Sequence, residues 1–221
     1  AQGIVGDVLA GKLIDPETGV YAVYDLHDET TGRRFMLRQA IVGEEKVGKA
    51  TGYWVELEII PELGYPVVYK TLLTGPASDP ANIHRIVMQE GNDNPVEIPV
   101  AAAAPGEDDT EPVVRESAGT EQVETEAGTL EAERFVLADP AAPDAKTEVW
   151  INDDVRPMGI VRMVSPHGEL RLLRFGKGGP DAVSAINKAP VAADAPEARP
   201  QTNISVRVEG GAPEPEPEPA P

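Results

Sequence analysis

The clearest pattern in the chain is an alternation of period two. Tyr53, Val55, Leu57 and Ile59 are separated by Trp54, Glu56, Glu58 and Ile60. An extended backbone therefore sets the first group on one apolar face and the second on a mostly polar face turned toward water. Shorter β-prone runs lie at residues 20–24, 34–42, 67–73, 121–125, 130–137, 146–151, 159–164 and 169–175. Thr31-Gly32, Ala127-Gly128, Asn152-Asp153-Asp154 and Pro166-His167-Gly168 stand between pairs of such runs and carry turn chemistry. Most gaps are too short for the crossovers that parallel strands need, so the pattern predicts antiparallel hairpins in a meander.

One segment breaks the period. Asp79 can cap a first turn, Pro80 suits the first helical position, Ile83, Ile86 and Val87 form an i, i+3, i+4 stripe, and Gly91 can end it. This spacing predicts an amphipathic helix, with a second, weaker one over 181–188. A sheet with one apolar face and an amphipathic cover predicts a mainly β, α+β domain: a strongly curved antiparallel sheet or half-barrel with one or two covering helices.

Charge and proline usage divide the chain. Its 221 residues carry a net charge of −19, distributed as −7 over 1–100, −10 over 101–145, +2 over 146–189 and −4 over 190–221. The stretch near 101–120, opening on four alanines, Pro105 and the Glu107, Asp108, Asp109 run, reads as an acidic loop. The Pro/Glu-rich residues 190–221 read as a disordered tail, with a short edge strand at 203–208 as its sole β-prone run, beyond a single domain over 1–189. Strong acidity argues against nucleic acid and anionic membranes, which are bound through Lys and Arg. The absence of Cys removes disulfides, thiol nucleophiles and iron–sulfur ligation. No apolar run reaches the roughly 18 to 20 residues of a membrane span. The opening Ala1-Gln2-Gly3 lacks a basic and apolar leader, which fits a mature product after signal cleavage or a trimmed fragment.

Catalytic and metal chemistry find little support. Gly6, Gly11 and Lys12 have phosphate-loop spacing, but Leu13 replaces the required hydroxyl. His27, His84 and His167 are isolated, the carboxylates at Glu107, Asp108, Asp109 and Glu111 lack a calcium-loop pattern, and Ser165-Pro166-His167 has no nucleophile elbow. Gly176-Lys177-Gly178-Gly179 is a hinge or strand end, and Asn203-Ile204-Ser205 is a glycosylation sequon of a kind frequent by chance. No catalytic residue, metal ligand or cofactor is assigned, and an enzyme is not expected. Arg162, Arg171 and Arg174 fall in the one positive segment. Their structural reading is pairing with nearby Glu, and their functional reading is contact with an acidic partner or a lipid head group.

The stretches Val42-Gly43-Glu44-Glu45, Gly52-Tyr53-Trp54-Val55-Glu56, Gln89-Glu90-Gly91, Glu148-Val149-Trp150-Ile151 and Gly159-Ile160-Val161-Arg162, with Gly48, Ser165 and Gly168, resemble the LolA-like lipoprotein-carrier superfamily of bacterial envelope proteins. The resemblance spans about residues 20–180 and follows strand order more than diagnostic residues. It implies a half-barrel holding an acyl chain between sheet and helices, with no catalysis. No residue matches a ligand-contacting position of the family, and the acidic insert and Glu-Pro tail depart from its pattern. The expectation is therefore a soluble carrier exported to the periplasm or secreted, with an apolar ligand, lipid or lipoprotein in a cavity lined by Tyr53, Val55, Leu57, Ile59, Ile83, Ile86, Val87 and Trp150. The alternative is a non-catalytic envelope interaction module whose acidic tail and surface meet a basic envelope protein. A wide cavity favours the first and a filled core the second.

Overall fold

The computed structural model describes residues 12–100, 114–139 and 142–186. They form eleven strands: β1 Val20–Asp28, β2 Arg33–Val47, β3 Ala50–Pro61, β4 Val67–Leu73, β5 Ile83–Glu90, β6 Val96–Ile98, β7 Val114–Thr125, β8 Gly128–Asp139, β9 Ala142–Ile151, β10 Ile160–Ser165 and β11 Gly168–Lys177. All belong to one sheet in the order β6-β5-β4-β3-β2-β1-β11-β10-β9-β8-β7, and every pair is antiparallel. Two meanders, β1 to β6 and β7 to β11, are thus joined by one long-range pairing, β1 with β11. The local turns follow the chemistry of the sequence: the Asp28 carboxylate accepts from the backbone N–H groups of Thr30 and Thr31 at 2.9 and 3.1 Å, and Gly32 takes the φ of +66° that closes the loop.

The segment expected to cover the sheet is part of it. Asp79 does accept from the Ala81 N–H at 2.9 Å and Pro80 does open a helical turn, but that turn is a single 3-10 turn, Pro80–Asn82, and Ile83–Glu90 is a strand. A bulge in the β4–β5 pairing explains the misleading stripe. Leu73 pairs with Ile83 and Thr71 with Ile86, so two residues three apart fall on one face of a strand. The β-branched Ile83, Ile86 and Val87 suit that setting better than a helix. The second expected helix is also a single turn, Pro180–Ala182, because Ser184 and Ala185 bond across to Glu56 instead of closing helical turns of their own; its end at Lys188 lies outside the described residues. Of the acidic loop, residues 114–120 belong to β7, while 101–113 and the tail 190–221 lie outside the described residues.

The central strands are buried on both faces. Tyr24, Leu37, Ile41, Val55, Leu57 and Leu172 belong to one continuous apolar cluster, joined from outside the strands by Leu13, Val155 and Met158. Gly159, where a Cβ would meet Ile14 Cδ1 at 2.5 Å, lets the 152–159 loop pack close. On the opposite face Val23, Arg38, Ala40, Glu56, Glu58 and Leu72 are buried as well. The polar side of β3 therefore does not face water, because residues 181–185 lie over it. The Asp181 carbonyl accepts from Arg38 at 2.8 Å, and Glu56 accepts from Ser184 Oγ at 2.5 Å and from the Ala185 N–H at 2.6 Å.

Both sheet edges are blunted. β6 has three residues set between Pro95 and Pro99, and β7, though twelve residues long, carries a bulge between Ser117 and Thr120 and a series of glutamates. β7 also comes close to β10 and β11, three and four strands away in sheet order, so this end of the sheet curls over.

Candidate functional site

Of the eight residues expected to line an apolar cavity, Val55, Leu57 and Trp150 belong to one continuous buried core and Tyr53, Ile59 and Ile83 pack against it. Register places Tyr53, Val55, Leu57 and Ile59 on the same face as Ile83 and Ile86. Val55 and Leu57 are 2% and 1% exposed. Val87 pairs with Lys70, and Lys70 with Glu56, which puts it on the other face. Trp150 lies in β9, five strands from β3 in sheet order, yet it is buried in the same apolar cluster as Val55 and Leu57.

Trp150 has three polar partners and itself lines the concavity beneath β7. Its neighbours across the pairing are Arg162 and Arg134, whose guanidinium carbons lie 5.0 and 5.5 Å from the ring centroid, and its Nε1 donates to Glu121 of β7. The tryptophan thus fastens the curled-over β7 to the sheet by cation–π and hydrogen-bond contacts.

Beneath β7 lies a half-open trough of about 710 Å³, lined mostly by charged and polar side chains, with Val123, Trp150, Val161, Leu172 and Leu173 as its apolar members. Its floor follows two cross-strand rows. In one, Arg162 pairs with Arg171 and Arg171 with Asp25; in the next, Val164 pairs with Glu169, Glu169 with His27 and His27 with Arg34. Two guanidiniums directly opposite one another repel. Glu169 offsets this by accepting from Arg162 at 2.7 Å and Arg171 at 2.8 Å, while Asp25 meets Arg34 at 3.5 Å. Burial raises the Glu169 pKa, but the hydrogen bonds from Arg171 and Arg162 outweigh it and hold the carboxyl below its ordinary range.

The wall opposite is β7 and its turn. Residues 121–126 all line the trough, odd and even alike. Side chains alternate between faces of a strand, so a run of consecutive lining residues means that the backbone edge itself borders the trough.

A second charged cluster, sealed rather than open, sits on β2 and β3. Arg38 donates to Glu58 at 2.6 Å and to Glu56, and both the guanidinium and Glu56 are almost wholly buried. Its members were missed because Glu56 and Glu58 alternate with apolar residues as water-facing positions do. Counting back from the Gly48-Lys49 turn brings Arg38 within one position of Glu58, and the bulge between Ile41 and Gly43 supplies the remaining shift.

The other candidates resolve into turns and pairs. Ser165 accepts from the backbone N–H of His167 at 3.2 Å, His84 bonds Thr74 at 2.8 Å, and Arg174 bonds Asp181 at 2.9 Å. Among the described residues no three His, Asp or Glu side chains converge as metal ligands do, and no helix is long and apolar enough to cross a membrane. Residues 1–11, with Gly6 and Gly11, and the Glu107 to Glu111 carboxylates lie outside the described residues.

No protein-family profile matches the chain, and no curated protein does. Among solved structures, a candidate exported protein with a YmcC-like fold from Bacteroides fragilis is similar at 14% identity and a TM-score of 0.39, over 76% of this chain and 100% of that one. A candidate lipoprotein from Parabacteroides distasonis is similar at 14% identity and a TM-score of 0.36, over 76% of this chain and 99% of that one. Superposition at this level carries no argument about function.

Proposed function

We propose that this protein is a non-catalytic binding module, exported to the bacterial envelope, that docks a polar partner in the trough beneath β7. The observation that supports this reading is the lining of the trough: ion-paired arginines and carboxylates predominate over its few apolar residues, and its one tryptophan, Trp150, is engaged by two guanidiniums and a glutamate. A charged concavity bordered by a backbone edge recognises hydrogen-bonding, charged ligands and rejects acyl chains, whose burial needs apolar walls. Acyl carriage would require an apolar space between the sheet and a mobile helix. The Val55 and Leu57 positions are filled, and the segment assigned to that helix is hydrogen-bonded into the sheet as β5.

Native mass spectrometry of gently purified protein, denaturing extraction and titration with a fluorescent fatty acid test this directly. The expected result is a clean mass with no uptake. A lipid adduct lost on unfolding, with amide shifts at Val55 and Leu57 when fatty acid is added, would return the protein to the carrier class.

A further inference from the structure

We infer that the trough takes an extended, basic peptide segment that adds to β7 as a further antiparallel strand; this rests on the binding-module reading. Among the described residues β7 pairs only with β8, so every second N–H and C=O along it points away from its partner. The strand is long enough to template another: residues 121–125 alone span about 17 Å. It is accessible, since residues 116–122 are exposed. It borders the half-open trough, so an added strand is held on one side by main-chain bonds and below by the floor. Strand addition draws affinity from the backbone and selectivity from side chains.

Charge selects the occupant. Three arginines and five carboxylates line the trough; the floor arginines are matched by Asp25 and Glu169 and Glu121 accepts from Trp150, which leaves Glu124 and Glu126 on the wall. A strand laid against β7 brings its side chains opposite these glutamates, where Lys or Arg is favoured and Asp or Glu repelled. Pairing of β7 with its copy in a second molecule would set glutamate against glutamate, which argues against self-association through this edge.

The test uses the full chain, isotope-labelled, and an acetylated hexapeptide of alternating Lys and Val. Its companions are a Glu-Val version, two Lys-Val versions N-methylated at the odd or at the even residues, and the same peptides against Glu124→Lys. The expected outcome is amide shifts confined to residues 120–126 and the floor strands, and slowed exchange of the outward β7 amides. Affinity should fall at least tenfold on N-methylation of the bonding edge and several-fold with Glu124→Lys, with the Glu-Val peptide not binding. Glu124 is exposed, and unchanged β9 amides report that the variant is folded. If the Lys-Val peptide shifts the trough but N-methylation at neither the odd nor the even residues lowers affinity, strand addition fails while the binding module stands. If no peptide of any charge perturbs the trough, both readings fall. Concentration-dependent dimerisation that slows the same β7 amides would assign the edge to a second copy and overturn the basic partner.

Discussion

Two clusters of arginine and carboxylate occupy the same sheet and do different things. At the centre, Arg38 with Glu56 and Glu58 is sealed beneath residues 181–185; toward the β7 end, Arg162 and Arg171 share Glu169 in an open trough. The residue types match, and the difference lies in solvent. Around Arg38 the charges have lost water and depend on one another and on their bonds to residues 181–185, so they specify the packing of the chain beyond β11. Around Glu169 water still screens them, so they contribute little to stability and stay available to a ligand. A charged cluster is thus read as structural or functional from its cover rather than its composition.

The largest test of that contrast is Arg38→Ala, which strands two buried carboxylates. It is expected to cost about 3–5 kcal/mol in urea unfolding. A loss below 1 kcal/mol would mean that the sealed cluster is hydrated after all.

Ser184→Ala removes one bond to Glu56 and is expected to cost about 1 kcal/mol, with faster hydrogen exchange at the Ala185 amide. Exchange unchanged there would show that residues 181–185 are held by something other than the cluster.

Tyr24 sharpens the comparison from the apolar side. Its hydroxyl is buried without a partner, and burial pushes its pKa up from 10.0. A raised pKa means that the stability contributed by the neutral phenol is complete below the ordinary value and lost as pH rises beyond it. Tyr24→Phe should therefore gain up to about 1 kcal/mol at neutral pH and lose the alkaline fall between pH 10 and the raised value, checked by unfolding at pH 7 and above pH 10.

The smallest effect is expected in the trough. Glu169→Gln should change stability at pH 7 by less than about 1 kcal/mol. Its lowered pKa gives the opposite sign to Tyr24: its contribution is present above the ordinary value of 4.5 and lost as pH falls through the lower folded value. The variant should therefore flatten only the acid limb below pH 4.5, and a large loss at pH 7 would erase the distinction between the two clusters.

Much of the strand content was legible because it is local. Alternation at 53–60, the Thr31-Gly32 and Ala127-Gly128 turns and the short gaps led to a meander, and β1 to β4 and β7 to β11 lie where the patterns placed strands. β5 was misread because a bulge gives a strand the i, i+3 contact of a helix at Ile83 and Ile86, and the β-branching of Ile83, Ile86 and Val87 is the one signal within the segment that favours a strand. The trough was less legible still. Arg162 and Arg171 stood out through local charge, but their partner Glu169, the Asp25–Arg34 pair and the glutamate wall assemble from strands up to about 150 residues apart.

By itself the sequence determined an acidic, cysteine-free, antiparallel β protein with its hairpins in place, because periodicity and turn chemistry act over a few residues. Tertiary structure alone decided that β11 closes on β1, that Glu56 is dry while Glu169 is wet, and that β7 curls back to make a trough. Register between distant strands and cover by distant segments set burial, and burial sets what a charge is worth.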